Sequence, residues 1–352
     1  MSESFIKKMY KSPLKFIANI IFIVLIIIAA NLLNNIYGKN TLKSGYILIP
    51  HNTSITALTD SLEGYLKNNN SFKWLASIKK YDINIKSGRY LIAKDWNNNT
   101  LINHLRSGKQ APVNLVFNNQ NDLKSLAERL SKQVEPNAIS ILKAMRDTLF
   151  LKQHNLTSDQ ALGIYIPNSY EVYWNISATA LRDKLYKEYQ HFWQQKNRLS
   201  KAEKLNLSPE QVISLAAIVQ KETAKVDERP IVAGLYLNRL KRHWPLQADP
   251  TVIFALKRHF NKDTIIKRVL NKDLLIKSPY NTYLNKGLPP GPIAMPDVSS
   301  IDAVLNAAKH RYMFMCASTK KLGYHEFAVD KYQHAKNAYL YQRWISKQGI
   351  RR

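Results

Sequence analysis

Glu222 is the residue of this chain whose type and position could do acid–base chemistry. It ends a helical pattern that begins at Ser208, and it follows Ile218 by four residues and Val219 by three. This spacing predicts a carboxyl beside apolar surface, where burial and the negative end of the helix dipole both raise a carboxyl pKa. A carboxyl that stays protonated near neutral pH can act as a general acid. The alternative is a helix-end glutamate that turns to solvent beside Lys221.

The helix that carries Glu222 has a well-defined start. Ser208 at the N-cap, Pro209 at the first helical position and Gln211 three residues after the cap are typical of a capping box. The apolar residues that follow recur at three- and four-residue spacing and predict one buried stripe: Val212, Leu215, Ala216, Ile218 and Val219. The pattern therefore predicts a helix from Pro209 to about Glu222.

A second helix and a polar loop follow soon after the acid. Asp227 or Glu228 starts the second helix, whose apolar stripe also carries Asn238. The loop 246–251 then leads into Val252. Buried polar residues in such places usually cap helices or clamp loops, but several that converge on one acid can also form a site. The residues alone leave both interpretations open.

Several short segments form a set with a characteristic order and spacing. They read AIVQKET at 217–223, NRL at 238–240, LQADPTVI at 246–253, SPYNTY at 278–283, GLPPGPIA at 287–294 and HEF at 325–327. As a set they resemble the endolytic peptidoglycan (murein) transglycosylases of the MltG/YceG-like type, and further matches upstream extend the resemblance over nearly all of the chain after the first forty residues. In that family the glutamate of the KET triplet is the catalytic acid, which implies that Glu222 has this role.

The resemblance also implies substrate-binding residues in these segments. They are Asn238, Arg239, Gln247, Asp249, Tyr280, Asn281, Thr282, Tyr283, His325 and Glu326. One departure is Gln220, where family members often have a glutamate, so this position cannot supply the acid. No phosphate-binding Gly-Lys loop occurs in the sequence, and no second histidine follows His325 at zincin spacing, so we expect neither a metal nor a cofactor.

The reaction that the resemblance implies is cleavage of MurNAc–GlcNAc β-1,4 bonds within nascent glycan strands, without water, which would terminate strand elongation. Glu222 would protonate the leaving oxygen and then, as a carboxylate, accept the proton of the muramyl 6-hydroxyl, which closes a 1,6-anhydro ring. The implied partners are peptidoglycan strands and peptidoglycan synthases. One rival is a lysozyme-like muramidase, for which Asp249 is the nearest second carboxylate. Another is a non-catalytic wall-binding scaffold.

An apolar run from Leu14 to Leu33 has only Lys15, Asn19 and Asn31 as polar interruptions. About 20 residues of helix span a hydrocarbon core of ~30 Å. More lysines precede the run than follow it, which predicts a cytoplasmic tail at 1–13, a single-pass anchor in the plasma membrane at 14–34 and a periplasmic or otherwise extracytoplasmic remainder. A cleaved signal peptide is the alternative.

The composition is strongly basic, with 52 Lys and Arg against 25 Asp and Glu and a net charge of +27. Such a charge first suggests a nucleic-acid partner, but here it is scattered along the chain rather than gathered in one arm. For an exported chain we expect lipid headgroups and cell-wall carboxylates as the acidic partners, and no nucleic acid. The single cysteine, Cys316, excludes an intramolecular disulfide framework and any multi-cysteine metal site.

The order of predicted elements indicates an α+β fold class. Within 40–110, strands at Tyr46 and Arg89 alternate with helices that begin near Ser54 and Thr100. This part resembles a LysM-like glycan-binding module of the family, and a simple spacer is the alternative. Residues 111–346 are predicted to form the helix-rich YceG-like catalytic domain, with its acid-bearing core at 208–330.

Three further predictions concern elements of that domain. One helix is expected over 135–150, and Ser300 is expected to cap a helix that continues to Ala308. An apolar strand is predicted over 312–317, with Cys316 buried in it, and a C-terminal helix from Val329 to about Ser346 closes the domain.

Overall fold

The structure, a computed structural model, describes residues 13–260, 266 and 268–348. The tail predicted at 1–13 lies outside the described residues except for Pro13. The chain divides into two compact units, which are taken separately below. The first contains the residues up to Val113 together with Glu171–Ile176, and the second contains Asn114–Tyr170 and the residues from Ser177 onward. The mixed α+β class agrees with the sequence-based prediction.

The first unit begins with α1, the helix Pro13–Tyr37. Its segment Leu14–Tyr37 is long and apolar enough to cross a membrane, and its large apolar side chains are exposed. The helix extends a few residues beyond the predicted end at 34. Its C-terminal end contacts the rest of the unit, since the carbonyl of Asn35 accepts a hydrogen bond from the Asn98 amide at 2.8 Å.

The remainder of the first unit is a two-stranded sheet covered by three helices. The strands are β1 (Gly45–Ile49) and β2 (Gly88–Ile92), which are antiparallel with Ile47 opposite Tyr90. The helices are α2 (Ile55–Ser61), α3 (Asn69–Ile78) and α4 (Asn98–Ser107). Alternate residues of each strand point into one apolar core, as a half-buried strand requires. Both strands, α2 and α4 were predicted, whereas α3 was not.

Strands β3 (Val113–Phe117) and β4 (Asn168–Val172) pair with each other, and the division between the units passes through both. The helices that follow in the second unit are α5 (Leu123–Ser131), α6 (Ala138–Met145), α7 (Thr148–Gln153), α8 (Ala178–Gln194) and α9 (Arg198–Lys204). The single helix predicted over 135–150 is therefore wrong. Asp147 accepts the backbone N–H of Leu149 at 3.0 Å, and this side-chain cap starts a new helix after Met145.

The core of the second unit is built around α10 (Pro209–Glu222). It packs against α11 (Arg229–Lys241), α12 (Asp249–Phe260) and α13 (Val298–Leu305). The capping box at Ser208 and Gln211 is present, and every residue of the predicted apolar stripe is buried, so both predictions are confirmed. Because helices cover α10 on several sides, even Ser214 and Ala217 are buried.

Two helix starts differ from the predictions. Helix α12 begins at Asp249, inside the segment predicted as a loop, with Pro250 in its first turn where a missing N–H costs nothing. Helix α13 is capped by Asp297 rather than by Ser300, since the Asp297 carboxylate accepts the backbone N–H of Ser300 at 2.7 Å. It ends at Leu305, before the predicted Ala308.

The C-terminal part of the second unit is a hairpin and a helix. Strand β5 (Phe314–Ala317) pairs antiparallel with β6 (His325–Ala328), and α14 (Lys331–Lys347) packs on both. The predicted strand and closing helix are confirmed with shifted ends, and β6 was not predicted. Cys316 lies in β5 but is only partly buried, against our prediction.

Candidate active site

The carboxyl of Glu222 turns from the end of α10 toward α11 and not toward solvent beside Lys221. Its Oε1 accepts a hydrogen bond of 2.6 Å from the hydroxyl of Tyr236, a residue with only 1% of its surface exposed. Burial raises the pKa of Glu222 to about 7. The hydrogen bond from Tyr236 and the positive charges of His325 and Arg239 act in the opposite direction. The predicted rise in pKa is thus confirmed, with burial as its main cause.

The arrangement of Glu222 and Tyr236 is suited to proton donation near neutral pH. Burial and the charge of Glu222 raise the pKa of Tyr236 well above its usual value, so the phenol remains a donor. The second oxygen of Glu222, Oε2, has no hydrogen-bond partner among the described residues. That oxygen is therefore the one from which a proton can be passed to a bound molecule.

Two polar side chains of α11, Asn238 and Arg239, hold the chain segment that leads into β5. The Asn238 amide donates to the carbonyls of His310 at 2.9 Å and Tyr312 at 3.0 Å. Arg239 is buried and donates through Nε to the Met313 carbonyl at 2.8 Å. Its Nη1 group donates to the carbonyl of Leu246. Both side chains thus bind backbone, and their contribution to a bound glycan would be made through the segments that they position.

Asn281 and Tyr280 are also bound within the protein. Asn281 is fully buried, and its amide donates to the carbonyls of Leu274 at 2.8 Å and Ile276 at 2.9 Å. Its Oδ1 accepts the backbone N–H of Tyr283 at 3.0 Å. Tyr280 is buried, with its ring centre 4.6 Å from that of Phe254. These two residues therefore support the segment that presents Tyr283.

Thr282 connects the same segment to the start of α12. Its Oγ1 accepts the backbone N–H of Ala248 at 3.1 Å and lies 2.8 Å from Oγ1 of Thr251. Its carbonyl accepts the N–H of Gln247 at 3.0 Å. Gln247 has a left-handed backbone with φ 49° and an exposed side chain. The hydrogen bonds of Thr282 thereby fix the position of the first turn of α12, which begins at Asp249.

Exposed Asp249 and half-buried Tyr283 form a hydrogen-bonded pair near the acid. The Tyr283 hydroxyl donates to Asp249 Oδ1 at 2.6 Å. The negative charge of Asp249 contributes to the raised pKa of Glu222, so the two carboxyl groups lie within electrostatic range. Among the predicted substrate-binding residues of α11, of the start of α12 and of the 280–283 segment, Gln247 and Asp249 are exposed and Asn238 and Tyr283 are half-buried, whereas the others are buried.

The two predicted residues of β6 differ in their surroundings. His325 is bound by Glu228, a residue just before α11 that sequence reasoning considered only as a helix start. Glu228 accepts the backbone N–H of His325 at 2.6 Å and lies 3.0 Å from its Nδ1. Glu326 instead accepts the hydroxyl of Ser318 at 2.6 Å. Glu228 is buried at the start of α11, yet its side chain makes no capping bond to that helix. Both features are visible in the structure and not in the sequence.

Gln220, the departure from the family pattern, has a structural contact of its own. Its Oε1 accepts the backbone N–H of Asp297 at 2.6 Å and the hydroxyl of Ser300 at 3.2 Å. It therefore connects α10 to the start of α13. In the described part of the chain, no group of three or more His, Cys, Asp or Glu side chains is arranged to hold a metal ion.

Comparison with known proteins places this geometry in context. A sequence model of the YceG-like family matches residues 47–339. The endolytic murein transglycosylase of Bacillus subtilis (strain 168) is 28% identical over 337 residues, which cover 86% of this chain and 91% of that protein. The protein of the same name from Streptococcus pneumoniae serotype 2 (strain D39) is 24% identical over 330 residues. That alignment covers 85% of this chain but 58% of the longer streptococcal protein.

A solved structure has a related fold. The crystal structure of a yceG-like protein from Listeria monocytogenes superimposes with a TM-score of 0.54 and is 27% identical. The match covers 84% of this chain and 98% of the Listeria chain. The similarity therefore includes most of both chains and not one domain alone.

Proposed function

Because the chain belongs to the YceG-like family, we propose that it is an endolytic peptidoglycan lytic transglycosylase whose catalytic acid is Glu222. The observation that carries this proposal is a carboxyl with a pKa of about 7, bound through one oxygen to buried Tyr236. The name of the Bacillus subtilis relative, which this chain matches over 91% of that protein, supports the same reaction.

The proposed reaction needs one carboxyl in two successive roles. Protonated Glu222 gives its proton to the glycosidic oxygen between MurNAc and GlcNAc, the C–O bond to the muramyl C1 breaks, and the GlcNAc-bearing part leaves as an alcohol. The Glu222 carboxylate then accepts the proton of the muramyl 6-hydroxyl, whose oxygen bonds to C1. The product is a 1,6-anhydro-muramyl end, and Glu222 has regained its proton.

The surroundings of Glu222 favour the internal hydroxyl over water. A hydrolase normally needs a second carboxylate that activates a water or traps the sugar. The nearest candidate, Asp249, is hydrogen-bonded to Tyr283. The 6-hydroxyl is tethered close to C1 and has an entropic advantage over a free water molecule. Gln247, Asp249 and Tyr283 are the residues that we propose as direct sugar contacts.

Product analysis tests this function. Full-length protein in detergent is incubated with glycan strands in water labelled with oxygen-18, and the ends are identified by mass spectrometry. We expect unlabelled 1,6-anhydro-muramyl ends from cuts inside long strands. Labelled reducing muramyl ends would establish the muramidase instead and contradict the transglycosylase.

Replacement of the acid separates the enzyme from a wall-binding scaffold. Glu222→Gln keeps the shape of the side chain but cannot give and then take a proton, so turnover should fall by ~10² to 10⁴-fold or more. Glu203→Gln removes an exposed acid of the same unit and serves as the control. If Glu222→Gln cut glycan as fast as this control, Glu222 would not be the acid.

The parts outside the catalytic unit have proposed roles as well. The apolar helix α1 supports a single-pass anchor at 14–34 with residues 1–13 in the cytoplasm and the remainder outside the plasma membrane. The succession β1, α2, α3, β2 supports a LysM-like glycan-binding module at 40–110. We propose the catalytic domain at 111–346, with its acid-bearing core at 208–330. Peptidoglycan synthases are the proposed protein partners because both would act on nascent strands.

A further inference from the structure

The outward side of α14 exposes aromatic, apolar and basic side chains together. Tyr332, Tyr339 and Leu340 have 84%, 62% and 46% of their surface exposed. Exposed cations lie among them at a spacing of three or four residues, which places all of these side chains on one side of the helix. This side, the basic-aromatic face, consists of Tyr332, Lys336, Tyr339, Leu340, Arg343 and Lys347.

The opposite side of α14 is the one that packs on the β5–β6 hairpin. Ile345 is buried there, and the ring of His334 stacks on that of Phe314 with ring centres 5.3 Å apart. These contacts attach the helix to β5 and determine which of its sides points outward. The basic-aromatic face is therefore presented to the surroundings by the fold, and its side chains are not part of the core of the second unit.

The basic-aromatic face carries positive charge that its own helix does not compensate. Helix α14 contains four Lys and Arg residues and neither Asp nor Glu. The guanidinium of Arg343 lies 5.8 Å from the ring centre of Tyr339, which places a charge directly beside an aromatic ring. This charge favours an anionic partner. A second copy that presented the same face would bring like charges together, as a twofold-symmetric contact requires.

The shape of the face distinguishes between anionic partners. Sites for small molecules and sugars are concave, whereas the outward side of a single helix is convex. A bilayer surface adapts to a convex helix: tyrosine rings lie at the level of the headgroups, leucine enters the acyl boundary, and lysine and arginine extend their charges to the phosphates. Cell-wall carboxylates would pair with the cations but would leave Leu340 in water. An anionic lipid surface thus matches all three kinds of side chain.

We propose that the basic-aromatic face of α14 docks the second unit onto the anionic headgroups of the membrane that holds α1. This proposal goes beyond the proposed reaction and takes from the proposed function only the anchor. Because the anchor and α14 belong to one chain, docking is intramolecular and needs less affinity than binding from solution. Salt should release the face, since exposed charges are screened within about 10 Å at 0.1 M ionic strength.

A fluorescent reporter beside the face tests the docking in the full-length protein. The label is attached to Ser346→Cys in a Cys316→Ser background, because exposed Ser346 follows Tyr339 by two helical turns. The protein is reconstituted into vesicles of phosphatidylcholine, alone or mixed equally with phosphatidylglycerol, that carry a brominated quencher lipid. We expect strong quenching in the mixed vesicles, weak quenching in phosphatidylcholine alone, and loss of the difference at high salt.

Two variants with equal changes in net charge separate the face from the general basic surface. The face variant combines Lys336→Gln, Arg343→Gln and Lys347→Gln. The control combines Lys124→Gln, Lys187→Gln and Lys204→Gln, exposed positions on α5, α8 and α9. A basic side chain near an anionic surface is worth about fivefold in binding, so the face variant should lower the docking equilibrium constant on the order of 100-fold. The control should retain the wild-type quenching, and thermal unfolding verifies that both variants fold.

The possible results separate this proposal from the proposed function. Quenching that is equal in the two kinds of vesicle, or equally reduced in the face variant and the control, would overturn the lipid docking. A reporter that responds to added glycan strands and not to phosphatidylglycerol would also overturn it and assign the face to cell-wall carboxylates. Flotation with phosphatidylcholine vesicles tests the α1 anchor by itself. None of these measurements depends on turnover, so a failure of the proposed reaction appears only in the product analysis.

Discussion

At Glu222, two opposing influences determine the charge of one carboxyl. Burial disfavours the ionised form, while the Tyr236 hydroxyl at 2.6 Å and the charges of His325 and Arg239 favour it. Burial is the larger influence, and the resulting pKa of about 7 lies where donor and acceptor forms are both populated. A group that must give a proton and then take it back is most effective when its pKa lies near the working pH.

The raised pKa makes Glu222 destabilising at alkaline pH. The folded state holds the proton up to about pH 7 whereas an ordinary glutamate releases it near 4.5, so stability falls as pH rises through this window. At pH 8 we expect Glu222→Gln to be more stable than the wild type, by as much as ~3 kcal/mol in free energy of unfolding. The variant should therefore unfold at a higher temperature. The gain should disappear at pH 4.

Thermal unfolding of both proteins at the two pH values measures this difference. Glu203→Gln again serves as the control, because its exposed side chain should show no comparable gain. An equal gain for Glu222→Gln at pH 4 and pH 8 would mean that ionisation of Glu222 has no part in the effect.

Tyr236→Phe removes the one hydrogen bond that the structure assigns to the Glu222 carboxyl. Because that bond lowers the pKa of Glu222, its loss should move the alkaline limit of activity to higher pH. Turnover should fall by about 10- to 150-fold, since a hydrogen bond to a charged group is worth ~1.5 to 3 kcal/mol. A pH–rate profile measures both effects, and a limit shifted to lower pH would contradict this account.

Among the elements, α11 contributes most of the side chains that build the site. Tyr236 contacts the acid, Asn238 and Arg239 hold the segment before β5, and Glu228, just before the helix, binds β6. Gly234 lies on the same helix, and a Cβ there would meet the backbone carbonyl of Ala308. Helix α11 therefore needs a small residue where the 308–313 segment passes. Through these contacts α11 positions the β5–β6 hairpin relative to Glu222.

The connection between α10 and α13 gives a prediction for Gln220, two residues before the acid. Gln220→Ala leaves the N–H of Asp297 without its acceptor, so we expect a loss of ~1 to 3 kcal/mol in stability. Gln220→Glu keeps an acceptor oxygen and should retain most of the stability. Chemical unfolding of the two variants measures the difference in stability. Equal losses would show that the hydrogen bonds accepted by residue 220 do not stabilise the fold.

At the scale of the whole molecule, the distribution of apolar and basic residues sets the proposed location. The segment Leu14–Tyr37 is long enough to cross a bilayer, and the chain that follows carries most of the +27 net charge. Outside a plasma membrane, such a surface meets anionic lipid headgroups and cell-wall carboxylates. A substrate in the cell wall requires that the catalytic unit lie on that side.

Reporter fusions test this topology. A reporter that is active only outside the cytoplasm, joined after residue 110, should be active, and one that is active only in the cytoplasm should not. The lysine excess before the apolar helix is the physical reason. Replacement of Lys7, Lys8, Lys11 and Lys15 by neutral residues should weaken the orientation. A cytoplasmic signal from the wild-type fusion would contradict the cell-wall function.

Local patterns in the sequence were sufficient to place Glu222 at the end of a buried helical stripe. The capping box, the apolar spacing and the length of α10 depend on residues within a few turns of one another, and the position of Glu222 at the end of the stripe follows from them. The strands of the first unit and the apolar N-terminal helix were predictable for the same reason.

The partners of the acid were decided by tertiary structure. Tyr236 reads as one more residue of a buried helix, and Glu228 reads as a helix cap until packing brings His325, 97 residues later, against it. Likewise, the buried bonds of Asn281 and Asn238 depend on carbonyls that only the folded chain places near their amides. Burial and hydrogen bonding between distant residues set the pKa of a carboxyl, and neither quantity is contained in the spacing of residues along one helix.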